Sequence, residues 1–149
     1  MLISKSSEYA LRTLIYLASL EPEARMSAQE LAAATGAFPA FLSKVVQKLV
    51  RAGILASKRG PGGGVALARP PEEIRLWDVI VALEGPDYLQ GCVLGLETCD
   101  PERPCPLHHD WVKIREQIFD LLKAKTLADL ATSLETEGAR IQRRLLTAN

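Results

Sequence analysis

Apolar residues recur at helical spacing near the start of the chain. Between Ser4 and Leu20 they share one face: Ala10, Leu11, Leu14, Ile15 and Ala18. Spacings of three and four residues are typical of an amphipathic helix, and a Glu-Pro-Glu run from Glu21 ends the pattern. The pattern therefore predicts a first helix over residues 4–20.

Two shorter helical patterns follow, separated by a glycine. Ser27 and Glu30 form a capping box that starts a short helix, which Gly36 ends. Pro39 suits the first position of the next helix. One face of that helix is apolar, with Phe41, Leu42, Val45, Val46, Leu49 and Val50. Its opposite face is polar and basic, with Ser43, Lys44, Gln47, Lys48 and Arg51. This arrangement predicts a helix-turn-helix.

The next segment predicts a hairpin and one more helix. Apolar runs at 54–57 and 65–68 flank Lys58, Arg59 and a glycine-rich turn that includes Gly62 and Gly63, so the two runs predict strands of a basic wing. A further helix extends to Gly85, and we expect its Trp77 and Leu83 to pack on the first helix. Residues 1–85 are thus predicted to be a winged helix-turn-helix DNA-binding domain.

The rest of the chain predicts a loop and a long helix. Residues 86–106 lack a regular period and carry all three cysteines. From Leu107 an apolar seam steps by four and three residues through Leu107, Trp111, Ile114, Ile118 and Leu121. Such a seam needs a partner, which we expect to be a second copy of the chain. The predicted fold is mainly α with a small β wing, and residues 107–149 form a dimerisation helix and a helical tail.

Charge is unevenly distributed in a chain of zero net charge. Residues 36–71 carry six basic residues and no acid, whereas residues 72–104 carry eight acids against two arginines. A basic block on an otherwise neutral protein predicts a face that binds a polyanion. The predicted DNA contacts are Ser43, Lys44, Gln47, Lys48, Arg51, Lys58, Arg59, Gly62 and Gly63.

Enzymes and membrane proteins fit the sequence poorly. It contains no Ser-His-Asp, Walker-type or dinucleotide-binding motif, so we expect no catalytic site. No apolar run is long enough to span a bilayer, and we see no secretory signal. An odd number of cysteines in such a chain predicts a reducing, cytoplasmic location.

The cysteines lie close together in sequence at Cys92, Cys99 and Cys105, with His108 three residues further on. Thiolates are soft ligands for zinc, copper(I) or an iron-sulfur cluster. Zinc ribbons usually use shorter Cys-x2-Cys pairs, so the wider spacing fits them poorly. The alternative to a metal site is that the cysteines are free thiols, or a redox pair with a third cysteine to spare. Glu8, on the first helix, is either a surface acid or an oxygen ligand that reaches across a dimer.

These motifs together resemble the bacterial Rrf-two family of winged-helix regulators, which includes the IscR and NsrR types. The resemblance covers residues 5–131. It is carried by Tyr9-Ala-Leu-Arg12, Leu42-Ser-Lys44, the Arg59-Gly-Pro-Gly-Gly-Gly64 wing, the three cysteines, Cys105-Pro-Leu-His108 and Thr126-Leu-Ala-Asp-Leu130.

The resemblance implies a homodimeric regulator, more often a repressor, that binds a palindromic operator in double-stranded DNA. It also implies an iron-sulfur cluster that changes DNA affinity, with a [2Fe-2S] cluster favoured and [4Fe-4S] as the alternative. Cys92, Cys99 and Cys105 match the thiolate ligands of the family. Two residues compete for the fourth position, His108 as in IscR and Glu8 as in relatives with a carboxylate from the partner subunit; we favour His108. The alternative to a cluster is a regulator that uses thiols or zinc.

Overall fold

The computed structural model describes residues 3–136, in which six α-helices accompany one two-stranded sheet and a 3-10 turn. In chain order the elements are α1 (Lys5–Ala18), α2 (Ala28–Thr35), α3 (Pro39–Arg51), β1 (Leu55–Lys58), β2 (Gly64–Leu67), the 3-10 turn (Pro71–Glu73), α4 (Leu76–Glu84), α5 (His108–Ala124) and α6 (Leu127–Thr136). The predicted class, mainly α with a β wing, is confirmed.

Local sequence signals set the boundaries of α2 and α3. The Ser27 hydroxyl accepts a hydrogen bond from the Glu30 amide at 3.1 Å, and the Glu30 carboxylate accepts one from the Ser27 amide at 2.7 Å. Gly36 ends α2 with a φ of 69°, a left-handed conformation that glycine adopts readily. Pro39 is the first residue of α3, where its missing N–H costs no helical hydrogen bond. The predicted helix-turn-helix is therefore present.

The wing is an antiparallel pair in which Leu55 faces Leu67 and Lys58 faces Gly64. Its first strand begins one residue later than predicted, because the Ile54 amide donates to the Leu49 carbonyl and completes the end of α3. The second strand begins one residue earlier, at Gly64. A Cβ on Gly64 would lie 2.7 Å from the Met26 carbonyl oxygen, so a side chain does not fit there.

The core joins the C-terminal helix to the winged helix. Leu127 is fully buried, and its amide donates to the Ile74 carbonyl at 2.9 Å. The helix α6 packs against α1, so it shares the core of the first 85 residues. The division at residues 85 and 106 stays a prediction, and the tail beyond Thr136 lies outside the described residues.

A pair of aromatic rings connects α4 to α5. Trp77 packs edge-on against Phe119, with ring centroids 4.8 Å apart. The expectation that Trp77 packs on the first helix missed this contact. Since α4 contacts both α1 and α5, the apolar period alone could not assign Trp77 to one of them.

Candidate DNA-binding face and cysteine site

The second helix of the helix-turn-helix, α3, separates an apolar face from a basic one. Its four buried residues are Leu42, Val45, Val46 and Leu49. On the opposite face the predicted contact residues lie at the surface: Lys44, Gln47, Lys48 and Arg51 are exposed and Ser43 is half-buried. The core fixes the orientation of the helix, and the cationic side chains point into solvent.

The wing presents a second cationic element. Lys58 and Arg59 are exposed, and the turn beyond them closes with a hydrogen bond of 2.8 Å from the Gly63 amide to the Gly60 carbonyl. A Cβ at Gly63 would lie 2.4 Å from the Lys58 carbonyl oxygen. Glycine is therefore required for this tight tip, which leaves Gly62 exposed and Gly63 half-buried.

The cysteine loop brings its candidate ligands together in two pairs. The Cys92 and Cys105 sulfurs are 3.8 Å apart, and the Cys99 sulfur lies 3.4 Å from Nδ1 of His108. All three cysteines are free and partly buried. Three cysteines and one histidine that are spread along the sequence thus become two close donor pairs.

His108 is only 7% exposed and is the first residue of α5. Its amide donates to the Cys105 carbonyl at 3.0 Å, so a short turn returns the ring to the cysteine loop. The helix begins one residue later than predicted, with Leu107 at the cap. The neighbouring His109 is exposed.

Amide groups surround the first cysteine. Backbone hydrogen bonds from Leu94 and Leu96 lower the pKa of the Cys92 thiol, against a weaker effect of burial. A lowered pKa favours the thiolate, which is the form that binds metals and reacts with oxidants. The loop is therefore arranged to stabilise negative charge on this sulfur.

Two side chains of α5 attach to the loop from outside. The Trp111 indole donates to the Gly91 carbonyl at 2.9 Å, and the Arg115 guanidinium donates to the Gln90 carbonyl at 3.3 Å. Sequence reasoning assigned Trp111 to the dimer seam and gave Arg115 no role. Neither contact has a sequence signature, because each depends on how the loop folds back.

Glu8 has partners of its own on α1. Its carboxylate lies 2.9 Å from the Lys5 ammonium and 2.6 Å from the Arg12 guanidinium. The hydrogen bond from Lys5 and the charges of Arg12 and Lys5 lower its pKa, while partial burial opposes the shift. Across residues 3–136 no three His, Cys, Asp or Glu side chains converge on one metal-sized site. Within one chain, Glu8 is therefore not grouped with the cysteines.

The predicted seam on α5 is divided between two environments. Leu107, Ile114 and Leu121 are 45%, 49% and 56% exposed, whereas Trp111 and Ile118 are partly buried within the chain. The exposed three recur every seven residues. They form an apolar stripe that residues 3–136 leave uncovered.

The fold and these surfaces define a DNA-binding winged helix with a cysteine-bearing loop between its fourth and fifth helices. The described helices include none that combines the length and the apolar character needed to cross a membrane.

Comparison with known proteins identifies the family. The family Rrf2, described as an iron-dependent transcriptional regulator, matches residues 3–133. An HTH-type transcriptional regulator of Aquifex aeolicus is 34% identical over 132 residues, which cover 87% of this chain and 91% of that protein. This chain therefore belongs to the Rrf2 family of transcriptional regulators.

Two solved structures are similar along most of their length. CymR, the global cysteine regulator of B. subtilis, is 32% identical with a TM-score of 0.74, over 89% of this chain and 97% of that one. IscR of T. potens is 27% identical with a TM-score of 0.72, over 93% and 92%. The resemblance seen in the sequence is confirmed.

Proposed function

We propose that this chain is a homodimeric, cytoplasmic transcriptional repressor that binds a palindromic operator and whose DNA affinity is switched by a [2Fe-2S] cluster. Cys92, Cys99, Cys105 and His108 would be the ligands. The two donor pairs, at 3.8 Å and 3.4 Å, are the observation that carries this proposal.

The spacing within each pair matches the geometry of tetrahedral coordination. With metal–sulfur bonds of about 2.3 Å, two thiolates on one tetrahedral metal lie about 3.8 Å apart. With a metal–nitrogen bond of about 2.0 Å, a thiolate and an imidazole lie about 3.5 Å apart. The pairs Cys92–Cys105 and Cys99–His108 fit these two separations.

Two pairs favour a cluster with two ligands on each iron. A [4Fe-4S] cluster takes one protein ligand per iron, so its ligands have no reason to pair. A single zinc ion would bring all four donors to one point, whereas the close contacts of these side chains join them two by two. A [2Fe-2S] cluster is therefore the best match to these side chains.

The choice of fourth ligand follows from the same contacts. His108 already lies beside Cys99, and an imidazole in place of a thiolate raises the potential of a cluster. Glu8 would first have to give up its ion pairs with Lys5 and Arg12. We therefore propose His108 as the ligand and Glu8 as a structural acid of α1.

Contacts between the cysteine loop and α5 provide a route by which oxidation or loss of the cluster would affect the DNA-binding face. Trp111 and Arg115 bind loop carbonyls, so a rearranged loop would move or free one face of α5. Phe119, on the same helix, packs against Trp77 of α4. When bound, the cluster would supply a centre whose oxidation or loss changes the ligand environment of the loop. The change would alter the spacing of two α3 helices, which must match half-sites about one DNA turn apart.

The dimer would form along the exposed stripe of α5. Leu107, Ile114 and Leu121 have the heptad spacing of a helix that packs on a second helix. The family's proteins bind DNA. A symmetric dimer presents two α3 helices, which suits a palindromic site.

The test is anaerobic reconstitution with iron and sulfide, followed by a visible spectrum and analysis of both elements. Wild type should bind two irons and two sulfides per subunit. Cys92→Ser, Cys99→Ser and Cys105→Ser should lose the visible bands, and His108→Ala should alter the spectrum and release iron faster. Glu8→Gln is the control and should behave as wild type. Full cluster retention by His108→Ala, together with loss in Glu8→Gln, would contradict the ligand set.

The DNA arm of the test compares cluster-loaded and metal-free protein. Allosteric coupling of about 1 to 3 kcal/mol corresponds to a change of about 5- to 150-fold in affinity. Equal affinity of both forms for an operator selected by the protein would rule out the switch while leaving DNA binding intact.

A cluster-free thiol switch is the second candidate. The observation in its favour is again the Cys92–Cys105 contact, in which the two sulfurs would have to approach by about 1.8 Å to form a disulfide. The lowered pKa of Cys92 favours the thiolate that begins such a reaction. Two thiols would lose two electrons and two protons to a peroxide. The test treats metal-free protein with peroxide, detects the disulfide by mass spectrometry and titrates the same sample with operator DNA. Only the thiol switch predicts that DNA binding changes without iron.

A further inference from the structure

Phe38 is the most exposed large apolar side chain in the described part of the protein. It is 83% exposed, whereas Phe41, three residues further on, is half-buried and Leu42 is buried. It lies in the turn of the helix-turn-helix, immediately before α3.

Neither folding nor capping accounts for Phe38. Serine, threonine, aspartate and asparagine are preferred at an N-cap because their side chains accept a backbone hydrogen bond. Phe38 occupies this position on α3 without a side-chain cap bond. Gly36 and Pro39 already supply the conformations of the turn, and Phe41 makes the nearby ring contact, with Tyr9. An aromatic ring left in water here is therefore available for a ligand.

The surroundings of Phe38 indicate which ligand it meets. Between residues 36 and 71 the chain carries six basic residues and no acid. A polyanion is thus favoured over an apolar protein surface. In winged and other helix-turn-helix proteins, the N-terminal part of the second helix contacts base edges in the major groove.

The major groove offers one apolar group, the C5-methyl of thymine, and phenylalanine is a side chain that contacts it. We propose that Phe38 is a specificity-determining residue that packs its ring against a thymine methyl group in each half-site. This rests on the proposal that α3 enters the major groove. Lys44, Lys48 and Arg51 would supply charge, and Phe38 would supply a preference for thymine that hydrogen bonding does not.

The experiment is a double-mutant cycle between the ring and the methyl group. The full-length protein first selects its operator from random-sequence duplexes. Each thymine of a half-site is then replaced by uracil, which removes only the methyl. Wild type and Phe38→Ala are titrated against every duplex, with Phe38→Leu as a conservative variant and Lys113→Ala, at an exposed position of α5, as the control.

At one thymine position, wild type should bind the uracil duplex about fourfold more weakly per half-site, the value for one buried methyl group. Phe38→Ala should bind thymine and uracil equally, Phe38→Leu should retain part of the preference, and Lys113→Ala all of it. Because Phe38 is exposed, its variants should melt at the wild-type temperature. Full thymine discrimination in Phe38→Ala, or no uracil-sensitive position for wild type, would overturn the proposal.

Two other variants distinguish a failure of this proposal from a failure of the proposal that α3 enters the major groove. Gln47→Ala and Lys48→Ala remove exposed polar groups of α3 and leave Phe38 in place. If both variants weaken DNA binding while Phe38→Ala discriminates thymine from uracil like wild type, only the role proposed for Phe38 is wrong. If both bind like wild type, α3 is not in the groove, and the proposed DNA face and the role of Phe38 fail together.

Discussion

Two amphipathic helices of similar sequence pattern, α3 and α5, have their apolar faces covered in different ways. All four residues of the α3 stripe from Leu42 to Leu49 are buried within the chain. On α5, Leu122 is buried while Leu107, Ile114 and Leu121 remain about half exposed. The apolar face of α3 is buried by the rest of the chain, and its polar face is exposed. The apolar face of α5 is buried only in part, so apolar residues are exposed on this helix.

The contrast separates two kinds of recognition. A polar helix face on a fixed core suits DNA, because the core holds the charged groups in position for the phosphates. Exposure of this face in the free protein leaves no apolar surface in water. An exposed apolar stripe with heptad spacing suits a second helix, because burial of that stripe favours association. Each helix thus displays the chemistry of the partner we propose for it.

The largest expected effect is on the stripe of α5. Ile114→Asp would bury a carboxylate in the proposed dimer, at a cost of several kcal/mol in each subunit. We therefore expect dimerisation at least about 100-fold weaker, measured by sedimentation over a range of concentrations. Lys113→Asp places the same charge on an exposed polar position of α5 and should leave the dimer intact. A wild-type protein that sediments as a monomer at every concentration would remove the basis for this expectation.

A second prediction compares two leucines, Leu42 on α3 and Leu121 on α5. Leu42 is fully buried, so Leu42→Ala should lower the free energy of unfolding by about 2 to 5 kcal/mol at any protein concentration. Leu121 is 56% exposed in one chain, so Leu121→Ala should act mainly through the dimer. Denaturant titrations at two concentrations distinguish them, since only the loss from Leu121→Ala should depend on concentration. A concentration-independent loss of several kcal/mol for Leu121→Ala would show that this residue belongs to the core of its own chain.

The sequence could predict the features that depend on neighbouring residues. The capping box of Ser27 and Glu30 forms as predicted, because it needs only four consecutive residues. The wing was located to within one residue for the same reason. The three cysteines and His108 were also visible from their residue types, in the loop and at the start of the helix that follows it.

The pairing of those ligands was not predictable from spacing. Cys92 contacts Cys105, 13 residues along the chain, because a loop without regular structure takes its shape from tertiary contacts such as that of Trp111 with Gly91. For a related reason, the sequence did not predict that part of the α5 seam is buried within the chain. A period of three and four identifies an apolar face, but it does not tell which neighbour covers each part of it.

The smallest expected effect is the salt dependence of DNA binding, which compares exposed lysines on the two helices. Lys48 lies on the basic face of α3 and Lys113 on the outer face of α5. If Lys48 neutralises a phosphate in each half-site, Lys48→Ala should reduce the slope of log affinity against log salt by about 1 per subunit, because fewer counterions are released. Lys113→Ala should leave the slope unchanged. The measurement is a fluorescence anisotropy titration at several salt concentrations, with the same operator for all three proteins. Equal slopes for wild type and Lys48→Ala would place this lysine away from the phosphates. A reduced slope for Lys113→Ala would mean that DNA extends to α5, which contradicts our proposal that α3 binds DNA and α5 binds a second subunit.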